Sequence, residues 1–493
     1  MKIGSSGNNE GRLPLRASRA ERDSSPTSGL EFPQDGVDLA RNSRPVILLH
    51  GTLVDKDGIA AYRDFALDNG HPVDHRTYSS ITKGERIEKS ADLASRNINL
   101  ARQDIAERNL EKLQGADSAA LDEFFALDGN LYGKRDKDAA AVRAALPGLL
   151  QDVSQVLGES DLENTLSGRL KRVEEGLEQS LLAAGLNPAK ADKTAAELLD
   201  SLAPKAIVIG HSAGGYVGYT LTVNPEETPD QDPFTFDGGN GVGEMLVLSS
   251  PVGQGLPTPA PPGVLDLGFY NFDKAFIRPF EQLPPASWML ANPAISAGYK
   301  ALKNMTKQAY HAANWVSIGL LNPAVHQLRP GNEQVEEGSD FFNTYLKDKK
   351  VPQGVSVVAV TSPLDMLSQE ERSKVDDQQP NAHNFSADLK VSQADIERER
   401  PTWAHVIMTE KPDMFKVQYA EHLTDPANLA SVLEPSNDDG VRHEALSMLA
   451  GQIARGQTGL TAALRKTLKA VAAERSPFKD SPSYLAHQIL KNG

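Results

Sequence analysis

The sequence predicts an α/β fold in which a mainly parallel central sheet is flanked by helices. Short, continuously apolar runs rich in β-branched residues recur along the chain, and helix-compatible stretches separate them. One run ends in Gly-x-Ser-x-Gly at residues 210–214, and others end at His50 and Asp365. Because ligand sites of parallel sheets collect where the strands end, these three positions are expected to share one edge.

The strongest strand predictions are continuous apolar runs, typical of strands buried on both faces. They cover residues 44–52, 206–209, 243–251 and 354–361, with weaker predictions at 71–78 and 385–391. Residues 59–69 are expected to form a short helix that Gly70 closes. The order strand, helix, strand at the start of the chain indicates parallel pairing.

Helical periodicity dominates two further regions. From residue 84 to 202, apolar residues recur at three- and four-residue spacing with charges between them. We interpret 84–202 as a helical insertion, and as a solvated one without a role in chemistry. Residues 402–423 are expected to form a turn and a helix, and 424–493 a helical C-terminal extension that includes 441–455 and 460–473.

The first 43 residues have a different composition. They are rich in Ser, Gly, Asn and Arg with few large apolar residues, which predicts a disordered leader. They contain no apolar core of a Sec signal peptide, so a cytoplasmic location or leader-dependent export is expected. The opening residues 1–7 resemble the leaders of bacterial type III effectors, which would place the protein in a host cell.

Composition excludes several functional classes. The chain of 493 residues carries a formal net charge of −15, which argues against nucleic acid as a partner. It has no cysteine, so thiolate metal sites and cysteine nucleophiles are excluded. No apolar run is long enough to span a bilayer. No metal-ligand cluster stands out, and neither a metal nor a cofactor is expected.

The Gly-x-Ser-x-Gly stretch has a chemical purpose in this context. A serine hydroxyl is a weak nucleophile, so it must stand clear of the backbone beside a base. A tight turn between a strand and a helix does this, and Gly210 and Gly214 leave room where a Cβ would clash. The bare pattern would occur by chance about 0.2 times in such a chain, so the preceding strand and Gly215 add weight. Ser212 is therefore the expected nucleophile.

Taken in order, these residues resemble the α/β-hydrolase family, and within it bacterial lipases and esterases, whose triad runs Ser, Asp, His along the chain. Residues 248–253 are similar to the strand and loop after the serine turn of such lipases. Residues 328–332 are similar to their Leu-x-Pro-Gly-Ser segment, with Asn332 in place of Ser, and 352–365 are similar to their strand into the acid. The resemblance covers about residues 45–423, with large gaps. A hydrolase domain over 44–423 follows from it.

The resemblance implies roles for individual residues. Ser212 would be the nucleophile, Asp365 would orient the base, and the backbone N–H groups of Thr52 and Ala213 would form the oxyanion hole. Among the histidines that follow Asp365, the candidates for the base are His383, His405, His422 and His443. His405 is preferred because a short loop with Pro412 and an amphipathic stretch follow it, as in lipases. His443 is the alternative base, since it also precedes a helix. His50 and His211 are expected to support the shape of the site.

The function implied is a serine hydrolase that cleaves carboxylic, lipid-like acyl esters through an acyl-enzyme. An acyltransferase or thioesterase would need the same groups, and a non-catalytic interaction module on the same fold is a third interpretation. Residues 256–322 are rich in aromatic residues and are predicted to form a cap or lid over the site. Such a cap could touch a lipid surface transiently. This segment carries Phe269, Tyr270, Phe272, Phe276, Phe280, Trp288, Met289 and Trp315.

Overall fold

A computed structural model of the chain describes about three fifths of its residues. These are 29–33, 44–51, 59–68, 70–74, 76, 86–125, 127, 137–158, 166–226, 228, 234–236, 238–256, 289, 292–306, 308, 334–365, 368–376, 379, 381–387, 405, 408–410, 412, 429–430, 432–435, 437, 439–454, 458–474, 476 and 481–492. All structural statements below concern these residues.

A seven-stranded, mostly parallel sheet forms the centre of the fold. Its strands, in chain order, are β1 (Leu30–Glu31), β2 (Val46–Leu49), β3 (Val73–Asp74), β4 (Ala206–His211), β5 (Val242–Leu248), β6 (Ser356–Thr361) and β7 (Ala382–Ser386). They lie side by side as β1-β3-β2-β4-β5-β6-β7, and β1 alone runs antiparallel to its neighbour. The apolar runs thus form central parallel strands, while β7 begins three residues before the predicted 385–391.

Alternate residues of the central strands point into two separate cores, as the pleat of a β-strand requires. In β4, Ala206 and Val208 contribute to the first core, and Ile207 and Ile209 contribute to the second. The same alternation runs through β2, β5 and β6. Both faces of the sheet are therefore covered, which explains why these strands are apolar throughout rather than alternating with polar residues.

Helices form a layer on each face. On the first face lie α2 (Ile87–Leu113) and α7 (Ala213–Val223), joined by a later short helix, Asp340–Tyr345, which is α9. On the second face lie α1 (Ala60–Asp68) and the three C-terminal helices α11 (Asp439–Ala454), α12 (Ala462–Ala472) and α13 (Pro482–Asn492). A single turn of helix, α10 (Glu370–Ser373), follows β6.

The helical insertion has a core of its own. Helices α3 (Ser118–Phe124), α4 (Lys137–Gly158), α5 (Leu166–Ala183) and α6 (Pro188–Leu202) pack around a third apolar cluster. About the first two thirds of α2 packs on the sheet through Ile87, Ile98 and Ile105, whereas its last turns enter the third cluster through Leu110. Helix α2 therefore belongs to both layers and links the sheet to the insertion.

The C-terminal helices are part of the main fold rather than an extension. Leu446 and Leu449 of α11 and Leu464 of α12 are buried in the same cluster as Ile207 and Leu246 of the sheet. Without these helices the second face of the central strands would lose most of its apolar cover. The predicted division between 44–423 and 424–493 therefore runs through a single shared core.

The N-terminal segment also contains an ordered element. Leu30 pairs with Asp74, and its side chain is buried in the first core. The Arg108 guanidinium lies over the Phe32 ring, 4.0 Å from its centroid. The prediction of disorder across 1–43 is wrong for residues 29–33, because one buried leucine and an edge pairing dock this short strand. The rest of 1–43 lies outside the described residues.

Most of the predicted cap, 256–322, lies outside the described residues, including every one of its named aromatic residues. Residues 293–306 are described, and they form a helix, α8. None of the helices in the described part of the chain is both long enough and apolar enough to cross a membrane.

Candidate functional site

The turn after β4 holds Ser212 in an unusual backbone conformation. β4 ends at His211, α7 begins at Ala213, and Ser212 between them has φ 54° and ψ −123°. Positive φ costs a non-glycine residue conformational energy, and such residues cluster at functional sites. The strain is tolerated because the backbone on both sides is held: the Ser212 N–H donates to the Leu248 carbonyl at 2.9 Å, and the Tyr216 N–H donates to the Ser212 carbonyl at 3.2 Å.

Two glycines allow this turn to pack. A Cβ on Gly214 would lie 2.0 Å from the carbonyl oxygen of Leu49, and a Cβ on Gly210 would lie 2.6 Å from the carbonyl oxygen of Gly214. Both obstacles are backbone atoms, which cannot move aside as a flexible side chain could. The glycines of the sequence motif are therefore required by the close approach of α7 to β2 and to the end of β4.

Asp365 and His405 form a buried pair. Asp365 follows β6 by four residues, and its Oδ2 accepts a hydrogen bond from His405 Nδ1 at 2.8 Å. Both side chains are almost completely buried. Because an ionised carboxylate can only accept, Nδ1 carries the proton in this pair, and Nε2 of a neutral His405 ring is left as the basic nitrogen.

Ser368 fixes the carboxylate from its other side. Its backbone N–H donates to Asp365 Oδ1 at 3.2 Å, and its hydroxyl donates to Oδ2 at 2.6 Å. The Asp365 N–H in turn donates to the Ser362 carbonyl at 3.0 Å. The turn after β6 thus fixes the orientation of the Asp365 carboxylate independently of His405. An acid that must hold a catalytic base in one orientation needs such support.

His211 connects this pair to the serine turn. Its Nε2–H donates to the backbone carbonyl of His405 at 2.8 Å, and the two rings lie 4.7 Å apart. Burial, together with the neighbouring His405, lowers the pKa of His211 to about 3. His211 is therefore a neutral donor at any working pH. Because His211 directly precedes Ser212, its hydrogen bond holds the backbone of His405 next to the serine turn.

The first turn of α7 supplies one of the expected oxyanion donors. Ala213 is the first residue of the helix, where a backbone N–H has no intrahelical acceptor. The helix dipole also favours negative charge there. Thr52, the other expected donor, lies outside the described residues. Its neighbour Gly51 approaches the serine closely, since a Cβ there would lie 2.6 Å from the Ser212 Cβ.

The alternative histidines occupy other places. His443 lies on α11, in the layer that covers the second face of the sheet. His383 lies within β7, where it pairs with Val358. His422 is outside the described residues. His50 follows β2, and its Nδ1 lies 3.1 Å from the Gly51 carbonyl oxygen. The ring of His405, by contrast, is hydrogen-bonded to Asp365.

No protein-family model matches the chain, and no curated protein is significantly similar to it in sequence. Within the described ranges, no group of three or more His, Cys, Asp or Glu side chains could hold a metal ion. Function is therefore inferred from the geometry of the residues themselves.

Two residues of the site have roles that the sequence did not reveal. Ser368 looks like any loop serine until the turn places its hydroxyl on Asp365. His211 was expected only to support the shape of the site, whereas it contacts the backbone of His405 directly. The spacing of three residues between Asp365 and Ser368 is the signal that could have identified Ser368. An Asp side chain often accepts a hydrogen bond from the backbone N–H a few residues later in a turn.

Proposed function

We propose that the protein is a serine hydrolase of the α/β-hydrolase type that cleaves carboxylic esters, with lipid-like acyl esters as its substrate class. One observation carries the proposal: a serine strained at positive φ between a parallel strand and a helix, with a buried Asp–His pair tied to the adjacent residue. The parallel strand order and the antiparallel edge strand β1 are compatible with that fold.

In the proposed mechanism, Ser212 Oγ attacks the acyl carbonyl carbon while Nε2 of His405 takes the hydroxyl proton. The imidazolium that forms keeps its Nδ1–H on Asp365, whose charge stabilises it. The negative oxygen of the tetrahedral intermediate lies at the N-terminus of α7, where the Ala213 N–H can donate to it. His405 then protonates the leaving alcohol, and a water molecule activated by the same ring releases the acid.

The same residues would serve an acyltransferase or a thioesterase, because both begin with the same acyl-enzyme. Hydrolysis is the simplest outcome when water is the acceptor. If alcohol acceptors added at millimolar concentration captured most of the acyl group, transfer rather than hydrolysis would be the function. If no acyl-enzyme formed at all, the non-catalytic interaction module would be the better interpretation.

The proposal is tested with p-nitrophenyl esters from acetate to palmitate. Ser212→Ala should lower kcat/KM by a factor of about 10⁴ or more, because a triad without its nucleophile keeps only residual catalysis. Ser180→Ala, on α5 in the insertion, is the matched control and should match the wild type. Activity of Ser212→Ala within a few-fold of the wild type, with an unchanged circular dichroism spectrum, would refute the proposal.

A further inference from the structure

Helix α8 presents an apolar stripe to solvent. In the described part of the chain, all large apolar side chains that are exposed lie between residues 289 and 305: Met289 at 59%, Ile295 at 42%, Leu302 at 59% and Met305 at 67%. Ile295, Leu302 and Met305 are spaced by seven and three residues, which places them on one side of a helix. A neighbouring stripe at positions 296, 299, 303 and 306 is only half-exposed. The apolar stripe therefore faces outward while the adjacent stripe is partly covered.

The sequence segment that contains this helix is basic, whereas the chain as a whole is acidic. Residues 282–332 contain no Asp or Glu, although the chain has 66 acidic residues against 51 Lys and Arg. The same stretch carries Lys300, Lys303, Lys307 and Arg329. Lys300 is exposed on α8 itself. An exposed apolar stripe within a locally basic, acid-free segment is the pattern of a helix that lies in a membrane interface.

We propose that α8 is a docking surface for an anionic phospholipid bilayer, with Ile295, Leu302 and Met305 inserted among the acyl chains and Lys300 at the headgroups. The net charge of −15 opposes adhesion of the chain as a whole, so the contact depends on this locally basic segment. Docking of two copies through the same stripe is disfavoured, because a symmetric contact would bring the same lysines together. The proposal is independent of the hydrolase function, since binding requires no turnover.

Vesicle flotation with the full chain carrying Ser212→Ala tests the proposal without hydrolysis of the lipid. One vesicle set is phosphatidylcholine alone, and the other contains about 30% phosphatidylserine, enough to give the surface a negative potential. The protein should bind the second set at least about tenfold more tightly, and the difference should shrink at about 0.5 M salt, where surface charges are screened.

Three variants separate the apolar and charged contributions. Leu302→Ser with Met305→Ser should weaken binding at least about tenfold, because less apolar area is buried on insertion. Lys300→Glu should weaken binding to the anionic vesicles several-fold. Lys171→Glu makes the same charge change at an exposed position of α5 and should bind like the parent, as should Asn304→Ser on the polar side of α8.

Several outcomes would overturn the proposal. Equal binding to neutral and anionic vesicles would exclude the charge contribution, and unchanged binding by the Leu302→Ser, Met305→Ser variant would exclude α8. A dimer in analytical ultracentrifugation that this variant abolishes would assign the stripe to contact between copies. Loss of esterase activity in Ser212→Ala bears only on the proposed function, and leaves the binding result to be judged by itself.

Discussion

Replacing His211 tests how the base is held. The Nε2–H of this ring donates to the buried carbonyl of His405 at 2.8 Å, and the ring is fully buried. His211→Phe keeps most of the volume but leaves that carbonyl without its donor, at a cost of about 1–3 kcal/mol. We expect the backbone at His405 to shift so that its carbonyl finds another donor, which displaces the His405 ring. A cost of this size in transition-state stabilisation lowers kcat about 5- to 150-fold, with KM changed less than about twofold.

His211→Gln is the matched variant, because its side-chain amide can donate from nearly the same position. It should recover most of the kcat lost in His211→Phe. Because burial lowers the pKa of His211 to about 3, this ring does not titrate between about pH 5 and 9. The pH profile of kcat/KM should therefore have the same shape for His211→Gln and the wild type. The assay is steady-state hydrolysis of p-nitrophenyl butyrate, with melting temperature as the check on folding. An unchanged kcat in His211→Phe, or equal losses in both variants, would refute the positioning role.

The remaining predictions concern the frame of the site. Burial raises the pKa of Asp74 to about 7 despite its ion pair with Arg76. Asp74 therefore ionises at a lower pH in the unfolded chain than in the folded protein, and the free energy of unfolding falls as pH rises from about 4 to 7. The expected decrease is on the order of 2–4 kcal/mol. Asp74→Asn should therefore gain in melting temperature relative to the wild type between about pH 5 and pH 8, and a difference that does not change with pH would argue against this. Leu30→Ala should lower the free energy of unfolding by about 2–3 kcal/mol in urea titrations, and a loss below about 0.5 kcal/mol would mean that β1 is not docked. Gly214→Ala should abolish activity or folding, because its Cβ would clash with the Leu49 carbonyl oxygen. Gly148→Ala is the control: no atom lies within 4 Å of the added Cβ, so this variant should be neutral or slightly stabilising. Equal effects of the two substitutions would contradict the clash at Gly214.

The central strands could be predicted because burial on both faces leaves a continuous apolar run in the sequence. The runs at β2, β4, β5 and β6 all lie in the sheet with parallel neighbours. β1 could not be predicted, since two residues make no period and its docking depends on one buried leucine, Leu30.

The helices show the opposite limit. The sequence predicted that 441–455 and 460–473 are helical, but not which surface they cover. That surface is the second face of the sheet, through residues such as Leu446 and Leu464. The same limit explains α2, whose N-terminal part and last turns pack in different cores. The local sequence indicates that a segment is helical, whereas the surface on which the helix packs is set by the tertiary structure.

At the site, the order of the residues along the chain placed Ser212, Asp365 and His405 as one set, and the structure brings the last two into contact. Ser368 and the His211 contact could not be read from the sequence, because both depend on where a loop returns in space. The oxyanion donor at Thr52 and the aromatic cap stay predictions.

Labelling by a fluorophosphonate tests the central claim most directly, because the probe reacts with a serine activated by a neighbouring base. We expect one covalent adduct per chain in intact mass spectrometry, mapped by peptide sequencing to Ser212. The rate should fall at least about a hundredfold in His405→Ala and hardly change in His443→Ala. A folded protein that takes up no probe, or that is labelled at another residue, would contradict the account.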